Sequence, residues 1–362
     1  MSNRIDRFFK LMTDRGASDL HFSVGRPPIF RQSGRIEPIR YRTLEASDFE
    51  GLVKPITPPE VWAIYERTGD ADFAYEIPGV SRFRANLFRQ ERGPGAVFRV
   101  IPTKLMRLEQ LGMPRSLSRV PRLRSGLFLV TGPTGSGKST TLSAIINQMN
   151  ETKSMHFVTI EDPIEFVHPN KRSLVSQREV HVHSHSFNAA LKAAIREDPD
   201  CILVGEMRDL ETIGLALSAA EMGVLVFGTL HTNCAAKTID RIINVFPAEE
   251  QDSVRVTLSS VIQGVLAQQL LPRKGGGRVA AVEVMYAKPA LRSLIREGKN
   301  HQINGVISMG KADGMIGMDD ALKGLVEDDL IEPVAGLEKA LDKDTFRTWL
   351  EERGVAVDED VE

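Results

Sequence analysis

The stretch Gly132-Pro133-Thr134-Gly135-Ser136-Gly137-Lys138-Ser139-Thr140 has the residue types and spacing of a phosphate cradle. It fits G-x-x-x-x-G-K-[ST], in which backbone N–H groups converge on an anion and the following helix N-terminus adds a favourable dipole. Lys138 would reach the β- and γ-phosphates, and the Ser139 hydroxyl would bind Mg²⁺. Hydrolysis needs more: a carboxylate to orient or deprotonate water, and groups that sense the γ-phosphate. Three later stretches carry such groups. Thr159 to Glu165 contains Glu161, Asp198 to Asp209 contains Glu206 and Arg208, and Phe227 to Thr232 contains His231. Glu206 is the leading candidate for the base, because it follows the apolar run Ile202-Leu203-Val204, and Glu161 is second. Which of them takes the water proton stays open. The competing reading is that these carboxylates cap helices or pair with Arg208. His231 stands out from an ordinary structural histidine only by its place at a strand end. Many phosphate-loop enzymes hold Mg²⁺ with an Asp where this chain has Gly205. The ion then relies on Ser139, phosphate oxygens, water and a nearby carboxylate.

These groups need elements to hold them. Leu127 to Thr131 is an apolar run typical of a buried parallel strand, and Thr141 to Met149 has helical spacing. Strands then alternate with helices, the signature of a doubly wound α/β domain in which ligands gather at the carboxyl ends of strands. The expected strands are Met155–Ile160, Cys201–Gly205, Val224–Gly228 and Val279–Met285. The expected helices are Phe187–Arg196, Asp209–Met222, Ala235–Val245 and one long helix over Glu249–Leu271. Three more follow at Pro289–Glu297, Met318–Asp328 and Leu337–Glu352. Alternation in His181-Val-His183-Ser-His185 would put three imidazoles on one strand face, but no second ligand group stands nearby to make a metal site. The first hundred residues read as a mixed α+β unit. Phe83, Ala85 and Leu87 alternate there with Arg82, Arg84 and Asn86, and a further strand carries Arg99. The division expected is a first domain over 1–101, a proline-containing basic connector over 102–125, an α/β core over 126–287, a helical region over 288–352 and an acidic tail over 353–362.

Composition narrows the classes. The 46 basic and 48 acidic side chains give a net charge of −2, with no basic excess to suggest nucleic acid as the main partner. Apolar runs fall short of a membrane span, and the first residues lack a signal-peptide core. Two isolated cysteines, Cys201 and Cys234, fit a cytoplasmic, reducing setting with buried thiols.

Taken together, these motifs resemble the secretion-superfamily ATPases, and most of all the type IV pilus retraction ATPases (PilT-like twitching motility proteins). Gly132 to Thr140 matches the Walker A sequence, Thr159 to Glu165 the Asp box, Asp198 to Asp209 the atypical Walker B sequence, and Ala220 to Pro247 the His box. The likeness runs from Ala17-Ser-Asp-Leu-His21 to about Leu325. It implies a PAS-like N-terminal domain, a RecA-like core and a homohexameric ring that hydrolyses ATP with Mg²⁺. The ring would be cytoplasmic, at the inner face of the inner membrane, where it would turn the pilus platform protein and withdraw pilin. Arg84 and Arg99 match arginines that meet the ATP of another subunit; Arg82 and Arg89 are weaker matches. Arg292 and Leu294 match a C-terminal motif associated with retraction. The chain departs from the family pattern at Val224, in place of a first His-box histidine, and at Ser293, in place of Asn. An accessory retraction ATPase or assembly subunit working through a paralogue therefore stays open as an alternative. Extension and secretion ATPases usually carry a four-cysteine zinc insertion that two isolated cysteines cannot supply. A RecA-like nucleic-acid translocase is opposed by the charge balance.

Overall fold

The computed structural model describes residues 3–32, 35–101 and 105–355, which form two units. One comprises residues 1–104 with 163–167; the other comprises 105–162 and 168–362. Residues 102–104 of the expected connector and 356–362 of the expected tail lie outside the described residues.

The first unit is built on a six-stranded antiparallel sheet of order β3-β2-β1-β6-β5-β4. The strands are β1 (Asp19–Ser23), β2 (Ile29–Gln32), β3 (Arg35–Pro38), β4 (Asp70–Ile77), β5 (Ser81–Gln90) and β6 (Gly93–Ile101). The alternation read from the sequence sends Phe83, Ala85 and Leu87 into the core, where Phe9 stacks on Phe83 and meets Phe98 edge-on. Arg82, Arg84 and Asn86 line the opposite face, as period-two geometry requires. Helices Asp6–Asp14, Ala46–Val53 and Pro59–Thr68 contribute Phe9, Met12, Phe49 and Tyr65 to the same core.

The second unit holds a seven-stranded sheet of order β13-β12-β7-β11-β10-β8-β9. Its strands are β7 (Gly126–Thr131), β8 (His156–Glu161), β9 (Leu174–Glu179), β10 (Cys201–Val204), β11 (Leu225–Leu230), β12 (Ile262–Pro272) and β13 (Arg278–Tyr286). All neighbours are parallel except the β12–β13 hairpin. β7, β10 and β11 are buried along their whole length, as parallel strands covered on both faces must be. The sequence 105–125, read as connector, lies with this unit: Leu117 and Val120 are buried in its core.

Three expectations need correcting. The long helix over Glu249–Leu271 is a helix only over Gln251–Val261, after which Ile262–Pro272 is strand β12. Apolar residues continue at helical spacing through Val265, but from Ile262 onward nearly every position is buried between β7 and β13. A short two-sided apolar run does not distinguish strand from helix by periodicity. The helix over Leu337–Glu352 is two helices, Pro333–Lys339 and Lys343–Glu351, and Asp342 starts the second by accepting from Thr345 N at 3.0 Å. The three histidines share no strand face. β9 ends at Glu179, His181 turns the chain at φ +68°, and His183 Nδ1 accepts from Glu179 N at 2.9 Å.

Candidate active site

β7 ends at Thr131, and residues 132–137 turn into the helix Lys138–Thr152. Gly132 sits at φ +145°, where a Cβ would strike the Gln268 backbone oxygen and Ser136 Oγ. The loop is therefore seated directly on β12, and only glycine allows that approach. The Gln268 side chain, buried below, accepts from Thr141 Oγ1 at 2.8 Å and fixes the first helical turn to the sheet. Sequence reading missed Gln268 because it lay inside the expected long helix. The available signal was the polar pair Gln268-Gln269 inside an apolar run.

The loop fits a polyphosphate. Ser136 is 2% exposed and its Oγ has no hydrogen-bond partner among the described residues, an expensive condition that a phosphate oxygen would relieve. First-turn N–H groups of the helix, Ser139 and Thr140 among them, have no intrahelical acceptors. Lys138 Nζ donates to Gly132 O at 2.8 Å and Pro133 O at 3.1 Å, so its ammonium lies folded over the loop.

At the next strand ends the carboxylates are held differently. Glu161 closes β8 and accepts at Oε1 from Thr159 Oγ1 at 2.7 Å and Gln177 Nε2 at 3.1 Å, the latter from β9. Glu206 follows β10. Its Oε2 accepts from Arg208 Nη2 at 2.6 Å, and its Oε1 accepts from Arg208 Nε and from His231 Nε2 at 2.7 Å. A carboxylate only accepts, so His231 carries a proton on Nε2. The pairing with Arg208 anticipated from sequence is present, and His231 joins it. Burial alone would raise the Glu206 pKa, but the hydrogen bonds from Arg208 and His231 outweigh it and hold the carboxyl below its usual range. Glu206 is therefore ionised at neutral pH.

Two contacts explain why these groups meet. Thr229 Oγ1 donates to Gly205 O, and Met207 N donates to Thr229 O at 3.0 Å, tying the end of β10 to β11. A Cβ at Gly205 would lie 2.9 Å from Ile160 O and 3.2 Å from Glu161 Cα. An Asp at this position has no room, which accounts for the missing Mg²⁺-binding carboxylate. Beside Glu206 opens a cleft of about 240 Å³ lined by Asp162, His181, Asn188, Arg208 and Asp209.

Arg84 and Arg99 stand in the first unit, directly opposite each other on β5 and β6 and on the face away from the core. Arg82 instead lies 3.6 Å from Glu76, and Arg89 donates to Glu66 O at 3.2 Å over the Tyr65 ring. Arg292 Nη1 donates to Ser259 O and Ser260 O, both at 2.6 Å, and its Nε donates to Ala287 O at 3.2 Å. It thus caps the last carbonyls of the helix Gln251–Val261 where the chain becomes β12. Leu294 packs beside it against the main core of the second unit. No group of three or more His, Cys, Asp or Glu among the described residues is arranged to hold a metal ion, and no described helix is long and apolar enough to cross a membrane.

Residues 4–326 match the family model described as type II/IV secretion system protein. The chain is 53% identical over 332 residues to the type IV pilus retraction ATPase PilT of Pseudomonas aeruginosa, covering 92% of this chain and 96% of that one. It is 50% identical over 320 residues to a twitching motility protein of Neisseria gonorrhoeae, covering 88% and 86% of the two chains. A crystal structure of the pilus retraction motor PilT with bound ADP superimposes with a TM-score of 0.89 at 42% identity, over 95% of this chain and 99% of that one. The α+β first unit and parallel-sheet second unit are thus the N-terminal domain and ATPase core of that architecture, and the chain belongs to the type II/IV secretion system protein family.

Proposed function

We propose that this chain is the ATP-hydrolysing motor that retracts type IV pili and so drives twitching motility. The observation that carries hydrolysis is the ionised Glu206, held by Arg208 and by His231 at 2.7 Å, at the end of a strand in the same sheet as the strand that leads into a loop whose buried Ser136 hydroxyl has no hydrogen-bond partner among the described residues. Near-full-length identity to a retraction ATPase supports the coupling to retraction.

In this reading Gly132–Thr140 binds the phosphates of ATP, with Lys138 swinging from the loop carbonyls to the phosphate oxygens. Glu206 orients the attacking water and accepts its proton. His231 and Arg208 keep the carboxylate ionised and aimed, and Glu161 stands second as base. Ser139 would hold Mg²⁺, which supplies charge neutralisation at the phosphates when bound. Arg84 and Arg99 would act on ATP held by another copy of the chain, within a homohexameric ring. That ring would sit on the cytoplasmic face of the inner membrane and turn the pilus platform protein. Purified Glu206→Gln should lose turnover by roughly 10²-fold or more while binding ATP normally. Normal turnover in that variant would remove Glu206 from the chemistry.

A further inference from the structure

The exposed face of the first unit's sheet carries one continuous cross-strand row. Arg31 on β2 is registered with Asp19 on β1, Asp19 with Arg99 on β6, Arg99 with Arg84 on β5, and Arg84 with Ala74 on β4. Directly opposite like charges repel, and here two guanidinium groups are opposite each other. Their counter-charges differ in kind. Arg84 Nε lies 3.8 Å from Asp72, whose side chain is solvent-exposed. Arg99 Nε donates to Asp19 Oδ1 at 2.8 Å. Asp19 is 2% exposed, while the Arg99 side chain above it is 69% exposed.

That geometry is unusual for a surface ion pair. A buried carboxylate needs its lone pairs filled. Asp19 Oδ2 accepts from Ser18 Oγ at 2.7 Å, and Arg31 stands 3.9 Å away. His21, the next residue on the same face of β1, is kept from competing as a cation. Burial lowers its pKa, and the Arg31 and Arg99 charges lower it further against the pull of Asp19. Asp19 thus holds Arg99 through Nε, while the Arg99 side chain as a whole stays largely exposed. A long exposed arginine loses rotamer freedom when it engages a ligand; a buried anchor at Nε removes much of that loss beforehand and preserves the planar fork that matches phosphate.

We propose that Asp19 is the positioning residue for Arg99: a buried carboxylate that pre-orients the guanidinium with which one copy of the chain engages the nucleotide of another. The inference rests on the reading above in which Arg99 acts on ATP in trans. It makes the two arginines unequal, with Arg99 anchored and Arg84 loosely countered by Asp72.

A double-mutant cycle on the full-length protein, read as ATPase kcat and KM with a melting curve for each variant, tests it. Asp19→Asn keeps the shape and loses the charge. It should lower kcat roughly tenfold with little change in KM or melting temperature. In an Arg99→Ala background the same Asp19→Asn change should leave kcat where Arg99→Ala put it. If Asp19→Asn slows the Arg99→Ala variant as much as it slows the parent, Asp19 serves the fold and the proposal fails. If Arg99→Ala lowers kcat while Asp19→Asn does not, the proposal fails and the role of Arg99 survives. If Arg99→Ala turns over normally, the trans reading falls, and the proposal with it.

Discussion

Glu206 is the residue at which the sequence and the structure add most to each other. Sequence gives it a place after an apolar strand; the structure gives it two donors and a reason for the glycine before it. Burial pulls its pKa up, and Arg208 and His231 pull it down further. Removing Arg208 should therefore let burial prevail. The sign follows: a higher pKa protonates the base at higher pH, so the acid limb of the kcat–pH profile of Arg208→Ala should move upward relative to the parent. An unmoved limb would mean that Arg208 does not set the ionisation of the base. The phosphate loop was legible from four fixed positions, because each has one physical job. Asp19 was not legible, and Gln268 showed only as part of a polar break in an apolar run, because the depth of a polar residue is known only once the strands around it are placed.

At the scale of elements, strands with one buried face, such as β5, were readable from alternation, and strands flanked by helices from apolar runs. β12 was lost to a helix because both readings bury the same residues. β9 was lost because its half-buried edge sequence, Leu174–Glu179, has neither pattern. β13 shows what register adds. Its Glu283 is buried and accepts from Ala235 N at 2.5 Å and Met318 N at 3.3 Å, the first residues of two helices. One carboxyl thus starts both the helix after the His231 loop and a C-terminal helix. Burial pushes it up to about 7, against 4.5 for an ordinary glutamate. Between those values the folded chain holds a proton that the unfolded chain has released, so stability is full below the lower value and falls as pH rises to the upper one. The loss is about 3 kcal/mol. Urea midpoints measured across that window should decline in the parent, and Glu283→Gln should lack that part of the slope. Equal slopes would show that Glu283 does not titrate there.

Charge is divided along the chain although the whole is nearly neutral. Residues 1–104 carry 17 basic and 13 acidic side chains, and residues 105–362 carry 29 basic and 35 acidic. Net composition hides that division, which suits association between copies through unlike surfaces. If Arg99 acts in trans, each site takes its loop from one copy and its arginine from another. Lys138→Ala and Arg99→Ala proteins, each strongly slowed alone, should then recover part of the ATPase activity when mixed and allowed to exchange subunits; no recovery would place both groups on one chain's own site. The central claim, hydrolysis at Glu206 coupled to pilus withdrawal, is tested most directly in cells by exchanging the native gene for one encoding Glu206→Gln and scoring surface pili and twitching together. The account predicts cells with abundant pili that do not twitch. Bald cells, or piliated cells that twitch normally, would contradict it.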